Sequence, residues 1–519
     1  MKISKKAGIL CLAAMVCFSV PVIPVSAEGQ TVDITMNDGE TRETDRTYHG
    51  YRLLNLTTSD NSDGTKNYAY TVNPKYREVL KAQIPEGSAY SDAQIIDYLG
   101  KLTSESDTGG TLRTFSDQLY EALKDMDPDA QAVGNTFNDV EKGYWLLIDV
   151  TDFSGKDESN SLVIVNTFDE DTVTVTPKAD VPEVEKKVKE ENDSTGAVSD
   201  WQDGADYDIG DDVPFQLTGT LPDNLAGYET YRYVFHDDLS EGLTLNRDSI
   251  KVYVENDGSR TEIPQEKYTV RQDAGHQEDS GFSCDFEIAF ADIKAVDGVN
   301  AASKIIVEYT AELNSDAIIG SAGNPNEVYL EFSNNPYDDG TGNTPEDKVI
   351  VFTFEIIANK VDEKHEPLNG AGFTLYKYNK DEGDYVQIGE ELKGMTTFTW
   401  SGLDAGQYRV VETTVPDGYN KADDILFTVE ATYDTDAADP GFGELVIKDA
   451  DGEIISDGEN PVFSVSVGSA STDIVNTTTP KLPETGGIGT GIFYGVGAML
   501  MAGGVLTMII RRRQRSIHE

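Results

Sequence analysis

Cysteine is nearly absent: three occur in 519 residues. Cys11 and Cys17 sit in the first apolar stretch, so removing that stretch leaves Cys284 alone and excludes an internal disulfide. Basic residues are scarce too, with 41 Lys and Arg against 93 Asp and Glu and a formal charge of −52. That balance disfavours nucleic-acid binding, which depends on neutralising phosphates. Five histidines (His49, His236, His276, His365, His518) are scattered without metal-ligand spacing or a Cys/His pair, so neither a metal nor a cofactor is expected. The glycines of "GGIGTGIFYG" lack the strand-turn-helix context of a phosphate loop. Cys284, alternating with apolar neighbours in "GFSCDFEIAF", reads as a strand residue and not a nucleophile. "DESNS" (157–161) runs into the strand "LVIV" and reads as a polar loop, and Asp-rich turns such as "DDGTGN" lack the full spacing of a calcium loop. Nothing points to an enzyme.

Both ends carry apolar runs. Lys2, Lys5 and Lys6 precede an apolar stretch from Ala7 to Val20 and a small-residue ending Val25-Ser26-Ala27. This is the pattern of a secretory signal (1–27) cut after Ala27. At the other end, Ile488 to Ile510 is apolar or small throughout and is followed by Arg511, Arg512, Arg513 and Arg515. That run is long enough to span a bilayer with its basic tail on the cytoplasmic side.

Between the ends, hydrophobicity alternates with the period of strands. Residues 28–177 mix strands ("YHGYRLLNLTT", "GYWLLIDVTDF", "SLVIVNTF") with helical candidates "NPKYREVLKAQI", "SDAQIIDYLGKL" and "FSDQLYEALKDM". Pro177 and Pro182 mark a boundary. Residues 178–348 hold short alternating runs separated by Asp, Gly and Asn clusters, the spacing of an antiparallel sandwich, with "NNPYDDGTGNTPED" (334–347) as a turn-rich connection. A third β domain spans 349–477, and 478–519 form the C-terminal signal with its span at 488–510.

Leu482-Pro483-Glu484-Thr485-Gly486, directly before the apolar span and the Arg tail, resembles the cell-wall sorting signal of Gram-positive surface proteins. The resemblance implies that a sortase cysteine attacks the Thr485 carbonyl, releases Gly486 together with the rest of the C-terminal segment, and passes the acyl group to an amine. "VTVTPK", ending in Lys178, resembles the pilin motif of sortase-assembled pilus backbone subunits, with Thr176 where Tyr is usual. "PEVEKKV", "YVFHDDLSEGLTL" and "GNPNEVYLEFSNNP" look like the middle domain of pilus shaft proteins. "NKVDEKHEPLNGAGFTLYK" and "YRVVETTVPDGY" look like the collagen-adhesin B-type module. The family implies an all-β fold of three tandem immunoglobulin-like or Cna-type β-sandwich domains, the first with helical insertions. It also implies Lys–Asn isopeptide bonds formed without an enzyme. Roles carried over by position are Lys360, Glu412 and Asn476 in the third domain, and Lys186, Asp237 and Asn326 in the middle one. Asp237 over Asp238, and Asn326 over Asn324 or Asn334, rest on family position.

Strand parity separates the lysines independently. In "VEKKV", Val184, Lys186 and Val188 share a face and Lys187 points away; in "FEIIANK", Phe354, Ile356, Ala358 and Lys360 share one. The remaining lysines of this stretch, Lys187 and Lys189, read as plain surface charge. A solvent-exposed lysine, with a pKa of about 10.4, is a poor nucleophile at pH 7. Burial depresses that pKa and raises that of a neighbouring acid, leaving a neutral amine beside a protonated carboxyl poised to polarise the Asn amide and shuttle protons. The intervals 186–326 and 360–476 are 140 and 116 residues. Loop-closure entropy then gives each cross-link on the order of 5 kcal/mol, comparable to a typical domain's whole stability.

The expected function is structural: a repeating pilus subunit, exported to the cell wall, joined from Lys178 to Thr485 of the next copy. Its expected partners are pilus-type and housekeeping sortases, further copies of itself, accessory pilins and peptidoglycan, with transient membrane insertion of the C-terminal segment. The competing expectation is a wall-anchored or pilus-tip adhesin, for which Lys178 has no role.

Overall fold

The computed structural model describes residues 31–37, 46–60, 66–103, 110–168, 171–176, 180–272, 284–458 and 461–478. The expected signal at 1–27, Pro177-Lys178, Leu482–Gly486 and the apolar run 488–510 lie outside them. Among the described residues no helix is long and apolar enough to cross a membrane.

In the N-terminal body the strand Gly143–Asp149 sits in a sheet with Thr47–Asp60, Lys66–Val72 and Leu162–Asn166. "YWLLI" is continuous and not alternating because both faces of this strand are covered. Trp145 and Leu147 face a small sheet made by Thr31–Met36, Thr136–Glu141 and Thr172–Val175. Leu146 and Ile148 face the helices Arg77–Gln83, Asp92–Leu99 and Gly110–Leu123, through Leu80, Ile95, Phe115 and Leu119. The three expected helices form, the second opened by a Ser91/Gln94 capping box.

The middle body is a two-sheet sandwich. One sheet runs Ser259–Glu262, Leu243–Asn256, Lys304–Leu313, Asp212–Gly219, Val184–Val188. The other runs Gly204–Asp206, Asp347–Phe352, Asn324–Ser333, Tyr233–Leu239, Phe286–Phe290, Thr269–Gln272. Inward residues of both, among them Phe215, Leu217, Phe235, Ile288, Val307 and Val328, make one core.

The C-terminal body packs a sheet of Thr397–Leu403, Phe354–Val361, Ser469–Val475 and Ser464–Ser466 against five strands centred on Gly406–Thr414.

Two expectations change here. The boundary expected at 348/349 falls inside the strand Asp347–Phe352, which pairs with Asn324–Ser333 and Gly204–Asp206. Alternation explains it: Val349 and Val351 face the middle core while Ile350 and Phe352 enter the C-terminal one. Only the buried Thr353 separates this strand from Phe354–Val361, so the two bodies share packing without a linker. The turn-rich segment 334–347 is likewise no connection between them. Thr341–Asn343 pairs back on Asn324–Ser333, and the segment grips the N-terminal body. Asn334 Nδ2 donates to the Phe153 carbonyl at 2.7 Å, and Tyr337 OH to Asp117 Oδ1 at 3.0 Å.

Close approach shapes the middle–C-terminal contact. Gly320 has φ of +95°, and a Cβ there would sit 2.5 Å from the Val467 carbonyl oxygen. Alongside it is a buried charged joint. Lys377 Nζ contacts Asp193 at 2.8 Å, Asp208 at 2.7 Å and Asp404 at 2.6 Å. Asp206 accepts from the Ala405 amide and from Tyr433 OH. Burial, then Asp206, pushes the Glu190 carboxyl up to about 9. Burial, then Asp208 and Asp193, pushes Asp211 up to about 6. Raised carboxyl pKa values mean that the folded state holds protons the unfolded chain releases near pH 4. Their stabilisation is complete below that range and is lost as pH rises through about 6 at Asp211 and about 9 at Glu190. Thermal unfolding followed from pH 5 to pH 9 should therefore show a falling midpoint, and Glu190→Gln should flatten the fall. A midpoint that climbs over the same window contradicts this assignment.

Candidate isopeptide centres

The middle body buries a lysine, an acid and an amide together. Lys186, from the edge strand Val184–Val188, crosses the sandwich to Asp237 on Tyr233–Leu239 and Asn326 on Asn324–Ser333, all three at 0% exposure. Its Nζ donates to Asp237 Oδ2 at 2.7 Å, to the Glu327 carbonyl at 3.0 Å and to Asn326 Oδ1. The Phe215 and Tyr309 rings close the pocket, each centroid 5.9 Å from the nitrogen. Burial pulls the Lys186 amine below its ordinary range against the opposing pull of Asp237. Burial also raises Asp237 above the usual carboxylate range. Both directions favour the neutral pair.

Of the alternatives left open, Asp237 and Asn326 are the residues brought to the Lys186 amine. Asp238 is half-buried, whereas Asp237 is at the amine. Asn324 is held by Ile318 and the Val351 carbonyl, and Asn334 belongs to the contact with Phe153. Lys187 points away from Lys186, as parity requires, but is not plain surface charge: its Nζ lies 2.6 Å from the buried Asp203. Lys189 stacks on Trp201, 4.7 Å from the ring centroid.

Tyr309 was not singled out in the sequence. Its hydroxyl donates to Asp237 Oδ2 at 2.8 Å and accepts from Asn326 Nδ2 at 2.9 Å, joining acid to amide. The signal was present in "KIIVEYTAEL", where Ile305, Val307, Tyr309 and Ala311 share the inward face. A tyrosine among inward apolar residues needs a hydroxyl partner.

In the C-terminal body Lys360, Glu412 and Asn476 are also buried. The first strand, Phe354–Val361, and the last, Ser469–Val475, run parallel with Lys360 opposite Ile474. Asn476 Nδ2 donates to Glu412 Oε1 at 2.7 Å, and Glu412 Oε2 accepts from the Ala422 amide at 2.7 Å. Lys360 Nζ is turned to the carbonyls of Val361 (2.9 Å) and Ile474 (2.7 Å). The Asn476 backbone N–H donates to that same Val361 carbonyl at 3.1 Å. Asn476 Oδ1 is buried without a hydrogen-bond partner. Burial lowers the Lys360 amine despite Glu412.

The two centres span different strands. In the C-terminal set Lys360 lies on the first strand, Asn476 just past the end of the last, and Glu412 on Gly406–Thr414 of the facing sheet. The middle set joins the first strand to Asn324–Ser333, in the opposite sheet and ahead of two further strands.

Cys284 lies just before the strand Phe286–Phe290 and not in it. Burial, then acidic neighbours, pushes its thiol up to about 12, so it is not poised as a nucleophile. Its side chain nonetheless meets His236, a pairing that spacing did not reveal. "DESNS" is a loop with Ser159, Asn160 and Ser161 buried, Asn160 Nδ2 donating to the Asp149 and Thr151 carbonyls.

Comparison with known proteins adds four likenesses. Residues 354–439 match the family described as SpaA, prealbumin-like fold domain. The trypsin-resistant surface T6 protein of Streptococcus pyogenes serotype M6 is 26% identical over 403 residues, covering 66% of this chain and 70% of that protein. Among solved structures, the T6 backbone pilin of serotype M6 Streptococcus pyogenes aligns with a TM-score of 0.48 at 19% identity, covering 87% of this chain and 98% of that one. The full-length major pilin SpaD of Corynebacterium diphtheriae gives 0.42 at 15%, covering 88% and 99%. The chain is thus predominantly β, similar over about two thirds of its length to a streptococcal surface protein, and matches a prealbumin-like domain within its C-terminal third.

Proposed function

We propose that this chain is the repeating structural subunit of a covalently polymerised cell-surface pilus, stiffened by two internal Lys–Asn bonds. The observation that carries the proposal is the buried contact of Lys186 with both Asp237 and Asn326. Burying a lysine completely is costly, and the pairing supplies what amide exchange requires. Lys186 Nζ attacks Asn326 Cγ, the Cγ–Nδ2 bond breaks, and ammonia leaves with one proton from the amine. Asp237 ends as it began, and Tyr309 passes a proton between it and the departing nitrogen. Lys360, Asn476 and Glu412 take the corresponding roles in the C-terminal body. The domain limits proposed are 28–177 for the first body and 178–477 for the other two, which divide within the shared strand Asp347–Phe352.

Between subunits, a pilus-type sortase joins Lys178 to Thr485 of the next copy. A housekeeping sortase attaches the finished fibre, with its accessory pilins, to peptidoglycan. The role is structural and not enzymatic. Cells extracted in hot detergent and blotted for this protein should show a ladder of high-mass species that collapses to one band in Lys178→Ala. A single band in the wild type, or a ladder that survives the substitution, contradicts the assignment and favours the adhesin.

A further inference from the structure

Three side chains meet on the outer face of the middle body, away from the buried triad. His236 on Tyr233–Leu239 stands opposite Glu287 on Phe286–Phe290, and Cys284 lies just ahead of that strand. His236 Nδ1 is 3.5 Å from Cys284 Sγ and 3.4 Å from Glu287 Oε1, and the three donor atoms lie within 4.8 Å of one another. On the other side of the ring, Nε2 lies 3.2 Å from Glu331 Oε2. The Tyr329 ring stacks parallel on the imidazole at 4.4 Å.

With Nε2 turned to Glu331, Nδ1 is the ring nitrogen that faces the thiol and Glu287. Such a pattern, with a carboxylate orienting the imidazole from behind, is that of metal-ligating histidines. Arg271 holds the second Glu287 oxygen at 2.8 Å and Arg232 holds Glu331 at 2.5 Å, so both carboxylates are oriented before any ion arrives.

The two separations from His236 Nδ1 are those of tetrahedral edges. With Zn–S near 2.3 Å, Zn–N near 2.0–2.1 Å and Zn–O near 2.0–2.2 Å, tetrahedral angles put sulfur and nitrogen about 3.5 Å apart and nitrogen and oxygen about 3.3–3.4 Å apart. We propose that His236 Nδ1, Cys284 Sγ and Glu287 Oε1 form a binding site for a divalent ion of the zinc type, its fourth position taken by water. Mixed nitrogen, sulfur and oxygen donors suit such an ion better than calcium or magnesium, which take oxygen. On binding, the Cys284 S–H bond breaks, the sulfur–metal bond forms and the proton leaves to solvent. Glu287, Asp238, Asp237 and Asp285 surround the thiol, and their negative field favours a cation. The bound ion would clamp the strand of Asp237 to its neighbour.

Co²⁺ is the probe, because its thiolate charge-transfer band reports sulfur ligation amid a carboxylate-rich surface. Titrated into the full chain, it should give that band at one ion per chain. Cys284→Ser should abolish the band, and Zn²⁺ should displace the Co²⁺. Glu331→Gln should keep the band while weakening binding roughly 10–100-fold. No band in the wild type overturns the site whatever the variants do. A band unchanged in Cys284→Ser overturns it equally.

Discussion

Replacing Asp237 with alanine should restore one ammonia to the protein's intact mass relative to its sequence and lower its stability by about 5 kcal/mol. The mass change follows from the contacts. Asp237 touches the Lys186 amine and, through Tyr309, the amide nitrogen that must leave. Without the acid, nothing in the pocket accepts a proton from the amine while the tetrahedral centre forms. The stability change follows from topology. Lys186 and Asn326 lie 140 residues apart, so the bond closes a loop spanning most of the middle body and restricts the unfolded chain accordingly. Denaturant midpoints of the variant and wild type, read beside their masses, test both halves. A variant that retains the ammonia deficit shows that Asp237 is not the acid. Lys186→Ala should give the same mass result by removing the nucleophile itself.

The second large effect lies at the joint between the middle and C-terminal bodies. Lys377→Met should cost about 3–5 kcal/mol, the usual result of stripping the partner from a buried charge. Lys377 is the cation shared by Asp193, Asp208 and Asp404, and Asp404 is 1% exposed with one oxygen already lacking a hydrogen-bond partner. Methionine keeps the stem and removes the charge, so the loss is electrostatic and not a cavity. Adding Asp404→Asn should recover part of it. Chemical unfolding of the single and double variants measures the coupling, and a cost within about 0.5 kcal/mol for Lys377→Met, the range of ordinary surface changes, would show that the joint does not hold the bodies together.

Much of this was legible because strand parity is a strong code. Once "VEKKV" and "FEIIANK" are strands, period two places Lys186 and Lys360 inward, and both are fully buried. Glu412 follows Tyr408 and Val410 into the core by the same rule. What stayed hidden depends on partners brought from far along the chain. Choosing Asn326 over Asn324 or Asn334 requires knowing which asparagine faces Lys186 across the sandwich. The meeting of His236 with Cys284 depends on neighbouring strands that no local spacing encodes. The boundary in 347–352 misleads because the continuous apolar run "VIVF" shows that both faces of the strand are covered, as in "YWLLI", without showing that the two covers belong to different bodies.

The most direct measurement of the central claim is the intact mass of the mature chain, followed by digestion and identification of joined peptides. Self-linked bodies predict a mass two ammonias below the sequence, with Lys186 joined to Asn326 and Lys360 joined to Asn476. A protein of full sequence mass, yielding those four residues in separate peptides, would contradict it.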